Sequence, residues 1–115
     1  MDNGKKILKI IEEVTFKDQE GKERKVFAKI DTGATRSSID TRLASELKLG
    51  PIVKTKLIKS SHGSSLRPVI ESKVRLDGQD LVTQFTLADR KRMKYAVLIG
   101  VNTLRQGNFL VDPSQ

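Results

Sequence analysis

The chain has 115 residues, a formal net charge of +8 and no cysteine. A chain of this length builds one hydrophobic core, so we expect a single domain over residues 1–115. The lack of cysteine excludes disulfides and thiolate chemistry. No apolar run approaches the length of a membrane span and no signal peptide is visible, so we expect a cytoplasmic protein with no membrane partner.

The 22 lysines and arginines are spread along the chain instead of forming one block. Proteins that bind single-stranded nucleic acid usually stack bases on aromatic side chains, and this chain has only four phenylalanines, one tyrosine and no tryptophan. The positive charge therefore indicates solubility and the steering of a substrate more than a nucleic-acid partner.

The first part of the chain predicts a hairpin. Residues 7–16 are rich in isoleucine and valine and predict one strand. Residues 23–30 alternate between apolar and polar side chains and predict a second strand. This strand ends directly before a polar turn at residues 31–34.

The rest of the chain predicts two short helices and five more strands. A helix is predicted at residues 41–47, capped by Asp40 or Thr41, and another at residues 101–106. The remaining strands are predicted at residues 53–60, 66–76, 81–87, 95–99 and 109–111. Seven or eight short strands with two short helices are typical of a small closed or sandwiched β domain.

Carboxylate chemistry is the catalytic class that the residues favour. His62 is the only histidine, no His-Glu-x-x-His motif or cysteine pair supplies metal ligands, and no Gly-x-Ser-x-Gly elbow supports a serine nucleophile. A phosphate-binding glycine loop is also absent from the sequence. We therefore expect no metal and no cofactor, and we interpret His62 as a loop residue.

Asp31 lies on the turn Asp31-Thr32-Gly33-Ala34, directly after a predicted strand. An ordinary Asp-x-Gly turn is one interpretation, because glycine permits turn conformations that other residues resist. The other is the hydrolysis of peptide bonds by two close carboxylates that share one proton. Since Asp-Thr-Gly occurs once, the second carboxylate then has to come from a second copy of the chain in a twofold dimer.

Residues 30–34, Ile-Asp-Thr-Gly-Ala, resemble the active-site signature of retropepsin-like aspartic proteases. Residues 98–100, Leu-Ile-Gly, resemble the second element of that family, which packs beneath the catalytic turn. Further runs resemble a prokaryotic branch labelled ATP-dependent zinc proteases, whose members are associated with ATP-grasp glutamate ligases. These runs are residues 60–63, 66–71, 85–90 and 109–113.

The resemblance implies an all-β fold, a small closed acid-protease barrel with one or two short helices. It implies a homodimeric aspartic endopeptidase in which Asp31 is the general acid and base, water is the nucleophile, and Thr32 and Gly33 position the carboxylate. The hairpin at residues 54–71 then corresponds to the flap, a mobile segment that covers the substrate. Substrate contacts are expected from Ala34, Thr35, Ser61, His62, Gly63 and Ser64.

The substrate implied by the resemblance is a peptide or protein, and an acidic one suits both the +8 charge and the association with glutamate ligases. The zinc and ATP of the branch label have no ligand set or nucleotide motif in the sequence. The aspartic-protease signature therefore supports a metal-free mechanism better than the label does.

Two positions depart from the family pattern. Retroviral members have an arginine after the Ile-Gly pair and an acidic residue after the Gly-Ala pair, and the two form an ion pair. This chain has Val101 and Thr35 there, so no buried charge is left unpaired, but a dimer needs other contacts. A peptide-binding or regulatory module with the same fold and little proteolysis is the alternative hypothesis.

Overall fold

The structure is a computed structural model that describes residues 5–115, apart from the side chain of Ser60. This part of the chain contains nine strands and two short helices. The strands are β1 (Ile7–Leu8), β2 (Ile11–Lys17), β3 (Glu23–Ile30), β4 (Ser37–Asp40), β5 (Ile52–Ser60), β6 (Gly63–Leu76), β7 (Gln79–Ala88), β8 (Val97–Ile99) and β9 (Leu110–Val111). The helices are α1 (Thr41–Glu46) and α2 (Val101–Gln106).

Six strands close into a barrel in the order β2-β3-β8-β4-β7-β6, and β2 pairs with β6 to complete the ring. The closing pairs are antiparallel and run from Val14 with Leu76 to Lys17 with Lys73. A closed ring removes the unpaired strand edges that an open sheet of this size exposes. The predicted small closed β barrel is therefore confirmed.

The hydrophobic core consists of aliphatic side chains and three phenylalanines, Phe16, Phe85 and Phe109. Phe16 and Phe85 are fully buried, and their ring centroids lie 5.4 Å apart. Along β3, Ala28 and Ile30 are buried whereas Phe27 is exposed, as the twofold alternation of a strand requires. The alternation predicted for residues 23–30 thus separates the core side of β3 from its solvent side.

β5 and the first part of β6 form a hairpin that extends the sheet beyond the ring. Among the described residues, β5 pairs with β6 alone. Ser61 and His62 form its two-residue turn, followed by Gly63 with φ of +113°, a conformation that side chains other than glycine rarely adopt. Leu57 and Leu66 pair across the hairpin and are 50% and 71% exposed.

Both helices lie where the sequence predicts them. Asp40 is the N-cap of α1 and accepts hydrogen bonds from the backbone N–H groups of Arg42 and Leu43. The helix ends at Glu46, one residue earlier than predicted, because Leu47 serves as its C-cap. The bounds of α2 match the predicted residues 101–106.

Apart from shifts of a few residues at strand ends, the strands differ from the prediction in two regions. Residues 7–16 form β1 and β2 instead of one strand, since β1 pairs with β9 and β2 pairs with β3. β4 is not predicted, because its sequence, Ser-Ser-Ile-Asp, has the composition of a turn. It forms a strand because it lies between β7 and β8 and pairs with both, and such tertiary pairing outweighs weak local strand preference.

Candidate active site

The Asp31 turn begins where β3 leaves the barrel sheet. The backbone N–H of Asp31 donates to the carbonyl of Ile99 on β8 at 2.9 Å, and the N–H of Ala34 donates to the carbonyl of Asp31 at 3.3 Å. The N–H of Gly33 donates to Asp31 Oδ1 at 2.9 Å. The partly exposed carboxylate is therefore oriented by the backbone of its own turn.

The segment before α2 packs directly against this turn. A Cβ on Gly100 would lie 2.6 Å from the carbonyl atoms of Arg36 and 2.8 Å from the carbonyl oxygen of Ala34. The next N–H, of Val101, donates to the carbonyl of Ala34 at 2.8 Å, and that of Asn102 donates to Thr35 at 3.2 Å. The two stretches that resemble the retropepsin signature thus meet through their backbones, and only glycine fits at residue 100.

A cleft of about 500 Å³ opens beside the Asp31 carboxylate. Its other lining residues are partly apolar and partly cationic: Ile11, Lys29, Arg90, Met93, Lys94, Tyr95 and Leu98. A cleft with an apolar wall and a few charged groups has the character of a ligand site. Of the predicted site residues within the described part of the chain, only Asp31 lines it.

Arg90 is the half-buried cation of this cleft. Its Nε donates to the carbonyl of Tyr95 at 3.2 Å and its Nη1 donates to Ser38 Oγ at 3.4 Å. Burial lowers the pKa of Arg90 below its ordinary value, and the negative charges of Asp31 and Asp40 oppose that shift. The guanidinium remains charged, so a fixed positive charge lies near Asp31.

Asp40 connects the Arg90 loop to α1. The N–H of Arg90 donates to its Oδ1 at 2.8 Å, while the first turn of α1 donates to Oδ2. The hydrogen bond from Arg90 lowers the pKa of Asp40 below its ordinary value, with smaller contributions from the helix N–H groups, and burial opposes this effect. The sequence predicts Asp40 or Thr41 as the helix cap, and the structure shows Asp40, but the sequence contains no signal for its bond to residue 90.

A second cavity, of about 210 Å³, lies between the hairpin and the segment after the turn. It is lined mainly by polar and cationic side chains: Thr35, Arg36, Lys54, Lys56, Val69, Gln84, Thr86 and Asn102. Thr35, a predicted substrate contact, belongs to this cavity. The predicted contacts at the hairpin tip, Ser61, His62, Gly63 and Ser64, are exposed and line neither cavity as the structure describes them.

Buried hydroxyl groups behind the turn were not predicted. Ser37 and Thr103 are fully buried, and Thr83 is 2% exposed. Ser37 Oγ and Thr103 Oγ1 lie 2.6 Å apart, and Thr103 Oγ1 and Thr83 Oγ1 lie 2.8 Å apart. In the sequence these residues are far apart and resemble ordinary strand or helix positions, so pattern alone contains no signal for the cluster.

Within residues 5–115, no group of three or more histidine, aspartate or glutamate side chains is arranged to hold a metal ion. The helices of this same part of the chain are too short and polar to cross a membrane.

Solved structures of other proteins share this fold. Lpg0085 of Legionella pneumophila subsp. pneumophila str. Philadelphia 1, a protein of unknown function, is 22% identical, with a TM-score of 0.67 over 96% of this chain and 95% of that chain. The simian foamy virus (mac) protease is 18% identical, with a TM-score of 0.60 over 83% and 91% of the two chains. EIAV protease, solved with the inhibitor HBY-793, is 19% identical, with a TM-score of 0.66 over 86% and 88%.

These likenesses define the class of the fold, which is that of retropepsin-like proteases. A family model described as RimB-like, retropepsin-like aspartic endopeptidase RimB, matches residues 44–115. The match spans more than half of the sequence, and the chain belongs to the RimB-like family. The matched residues begin after the Asp31 turn and do not include Asp31. A comparison with curated proteins finds no match.

The family match confirms the resemblance to retropepsin-like aspartic proteases. The association with ATP-grasp ligases stays a prediction.

Proposed function

We propose that the chain is an aspartic endopeptidase that works as a homodimer, with one Asp31 from each copy in a shared site. The observation that carries this proposal is the Asp31 carboxylate itself, which accepts the N–H of Gly33 at 2.9 Å and lies at a cleft of about 500 Å³. A single carboxylate cannot act as acid and base at once, so a second copy completes the site.

In the proposed reaction one Asp31 is ionised and the Asp31 of the second copy is protonated, since two carboxyl groups at close range cannot both ionise readily. The ionised carboxylate takes a proton from water while the water oxygen attacks the peptide carbonyl carbon. The protonated carboxylate gives its proton to the carbonyl oxygen. The tetrahedral gem-diol then collapses as the newly protonated Asp31 gives its proton to the nitrogen and the other Asp31 takes back a hydroxyl proton. The C–N bond breaks to give an acid and an amine.

Neighbouring residues have supporting roles in this proposal. Gly33 orients the carboxylate through its N–H, and Thr32 lies next to it on the same exposed turn. The hairpin acts as the flap, with Ser61, His62, Gly63 and Ser64 at its tip and Ala34 and Thr35 on the opposite side of the substrate. Its exposed Leu57 and Leu66 offer an apolar surface for a bound peptide.

We also propose an acidic peptide as the substrate. The cleft beside Asp31 is lined by Lys29, Arg90 and Lys94, and none of these cations forms an ion pair among the described residues. The cavity under the hairpin adds Arg36, Lys54 and Lys56. Cationic clefts raise the local concentration of anionic ligands and speed their association.

The proposal is tested with two fluorescence-quenched peptides, one containing a run of glutamates and the other glutamines in the same places. Wild-type protein is expected to cleave the glutamate peptide faster, and Asp31→Asn is expected to abolish cleavage without unfolding the barrel. Asp77→Asn is the control. Asp77 lies in the turn between β6 and β7, and its φ of +48° is a conformation that asparagine tolerates. Unchanged cleavage by Asp31→Asn would remove Asp31 from the mechanism.

A peptide-binding module with the same barrel is the alternative. The uncharged side chains of Thr35 and Val101 favour it, because they offer a dimer no ion pair at these positions. This alternative predicts that the glutamate peptide binds with equal affinity to wild-type protein and to Asp31→Asn, and that neither protein cleaves it.

A further inference from the structure

We propose that Ser37 and Thr103 are positioning residues, which fix the Asp31 turn against α2 through a buried chain of hydrogen bonds. The inference rests on the proposed function of Asp31 and adds two residues that do not touch the substrate. Ser37 is the first residue of β4, just after the turn, and Thr103 lies in the first turn of α2. They are 66 positions apart in sequence and both are fully buried.

The donor and the acceptor of each hydrogen bond between these side chains can be assigned. Asn102 Oδ1 faces Ser37, because the N–H of Ser37 donates to it at 2.7 Å while Asn102 Nδ2 donates to the carbonyl of Gln84 at 3.1 Å. The Ser37 hydroxyl therefore donates to Asn102 Oδ1, at 2.9 Å, and has no second proton for Thr103. Consequently Thr103 donates to Ser37, and Thr83 donates to Thr103.

Ser37 Oγ uses its full hydrogen-bonding capacity. It donates once, to Asn102, and accepts twice, from the hydroxyl of Thr103 and from the N–H of Gly100 at 2.9 Å. Because Ser37, Thr83 and Thr103 are buried, water cannot replace a lost hydroxyl partner among them, and each such loss leaves a buried polar group unpaired.

This series of hydrogen bonds acts on the turn through Gly100. The backbone of Gly100 lies against the carbonyl groups of Ala34 and Arg36, and the following N–H, of Val101, donates to Ala34. The hydroxyl of Ser37 therefore holds Gly100 in place through the Gly100 N–H. Because Ser37 also begins β4, directly after the turn, the turn and Gly100 are fixed relative to each other. Residues 35 and 101 are threonine and valine, so no ion pair between them can restrain the turn. Neutral hydrogen bonds restrain it instead.

The first experiment measures the restraint without any substrate. Thr103→Val removes the hydroxyl and keeps the shape, whereas Thr103→Ser keeps the hydroxyl. Hydrogen exchange of the Gly100 and Val101 amides should be about tenfold faster in the valine variant and near wild type in the serine variant. The amide of Val14, on the far strand β2, should be unchanged. Equal acceleration at all three amides would indicate general destabilisation and overturn the proposal.

The second experiment measures cleavage of the glutamate peptide. Thr103→Val should lower kcat about tenfold with little change in KM, because a misplaced carboxylate slows the chemical step, and Thr103→Ser should recover most of the loss. Ser72→Ala is the matched control, since it removes another buried hydroxyl that does not contact the turn. A kcat loss in Ser72→Ala as large as in Thr103→Val would also overturn the proposal.

If Thr103→Val does not fold, Thr83→Val replaces it. Thr83 is the last residue in this series of hydrogen bonds, and its substitution removes only the bond to Thr103. The two experiments separate two kinds of failure. Lack of cleavage by wild-type protein contradicts the proposed function alone, whereas unchanged exchange at Gly100 and Val101 contradicts the positioning role alone.

Discussion

Gly100 packs against Arg36 so closely that a Cβ would lie 2.6 Å from the Arg36 carbonyl group. The neighbour is backbone, which cannot rotate away as a side chain does, so Gly100→Ala has to displace the turn or α2. We expect a loss of about 2–3 kcal/mol in the free energy of unfolding, measured by urea titration.

The control for this prediction is Gly63→Ala. A Cβ on Gly63 meets no atom within 4 Å, so this change creates no steric clash, and we expect the cost of its positive φ, about 1–2 kcal/mol. Equal losses in the two variants would contradict the steric explanation at Gly100.

The proposed shared site makes a prediction for mixed subunits. When a fixed amount of wild-type protein is equilibrated with a ninefold excess of Asp31→Asn, random pairing leaves only about a tenth of the wild-type dimers intact. Peptide cleavage should fall to that level. If each chain acts alone, cleavage stays constant. Capture of an affinity-tagged Asp31→Asn chain from the same samples reports exchange, because untagged wild-type chains are then recovered with it.

The fixed charge of Arg90 should select acidic peptides. Arg90→Gln is expected to lower kcat/KM about tenfold for the glutamate peptide and much less for the glutamine peptide, because only the first presents a carboxylate to the cleft. Lys91→Gln is the control, since Lys91 is exposed on the same loop and does not line the cleft. An equal loss on both peptides would mean that Arg90 supports the loop and does not select the substrate.

The apolar pair on the hairpin should act in binding and not in folding. Leu66 is 71% exposed, so Leu66→Ser is expected to change the free energy of unfolding by no more than about 0.5 kcal/mol. KM for the glutamate peptide should rise severalfold, because the hairpin loses apolar surface for the substrate. Val82→Ser, at a 48% exposed position on β7, should leave KM unchanged. An unchanged KM in Leu66→Ser would exclude the hairpin as a binding surface.

Asp40 makes the stability pH-dependent. Its pKa is lowered in the folded state from the ordinary value of 3.8, so its charge stabilises the fold above that value and this contribution is lost as the pH falls through the lower folded pKa. Asp40→Asn should therefore lower the free energy of unfolding at pH 7, because it removes the charge that accepts the N–H groups of Arg90 and α1, and the difference from wild type should shrink at acid pH. Urea midpoints at pH 7 and pH 3 test this, and a difference that grows in acid would contradict it.

Local pattern was sufficient for much of the fold. The bounds of β3 and α2 and the cap at Asp40 follow from neighbouring residues, because alternation and capping act over a few positions. The sequence also identified the Asp31 turn and the Leu-Ile-Gly run as related elements, through their resemblance to one family.

The sequence by itself thus determined most of the strands, both helices, the family resemblance and the candidate carboxylate. Only the tertiary structure decided that β4 is a strand, that Ser37 meets Thr103 and that Arg90 lies near Asp31. The reason is physical: the partner of a buried polar side chain depends on which strands become neighbours when the barrel closes. That choice is made by burial and pairing across the whole ring, and no short stretch of sequence contains it.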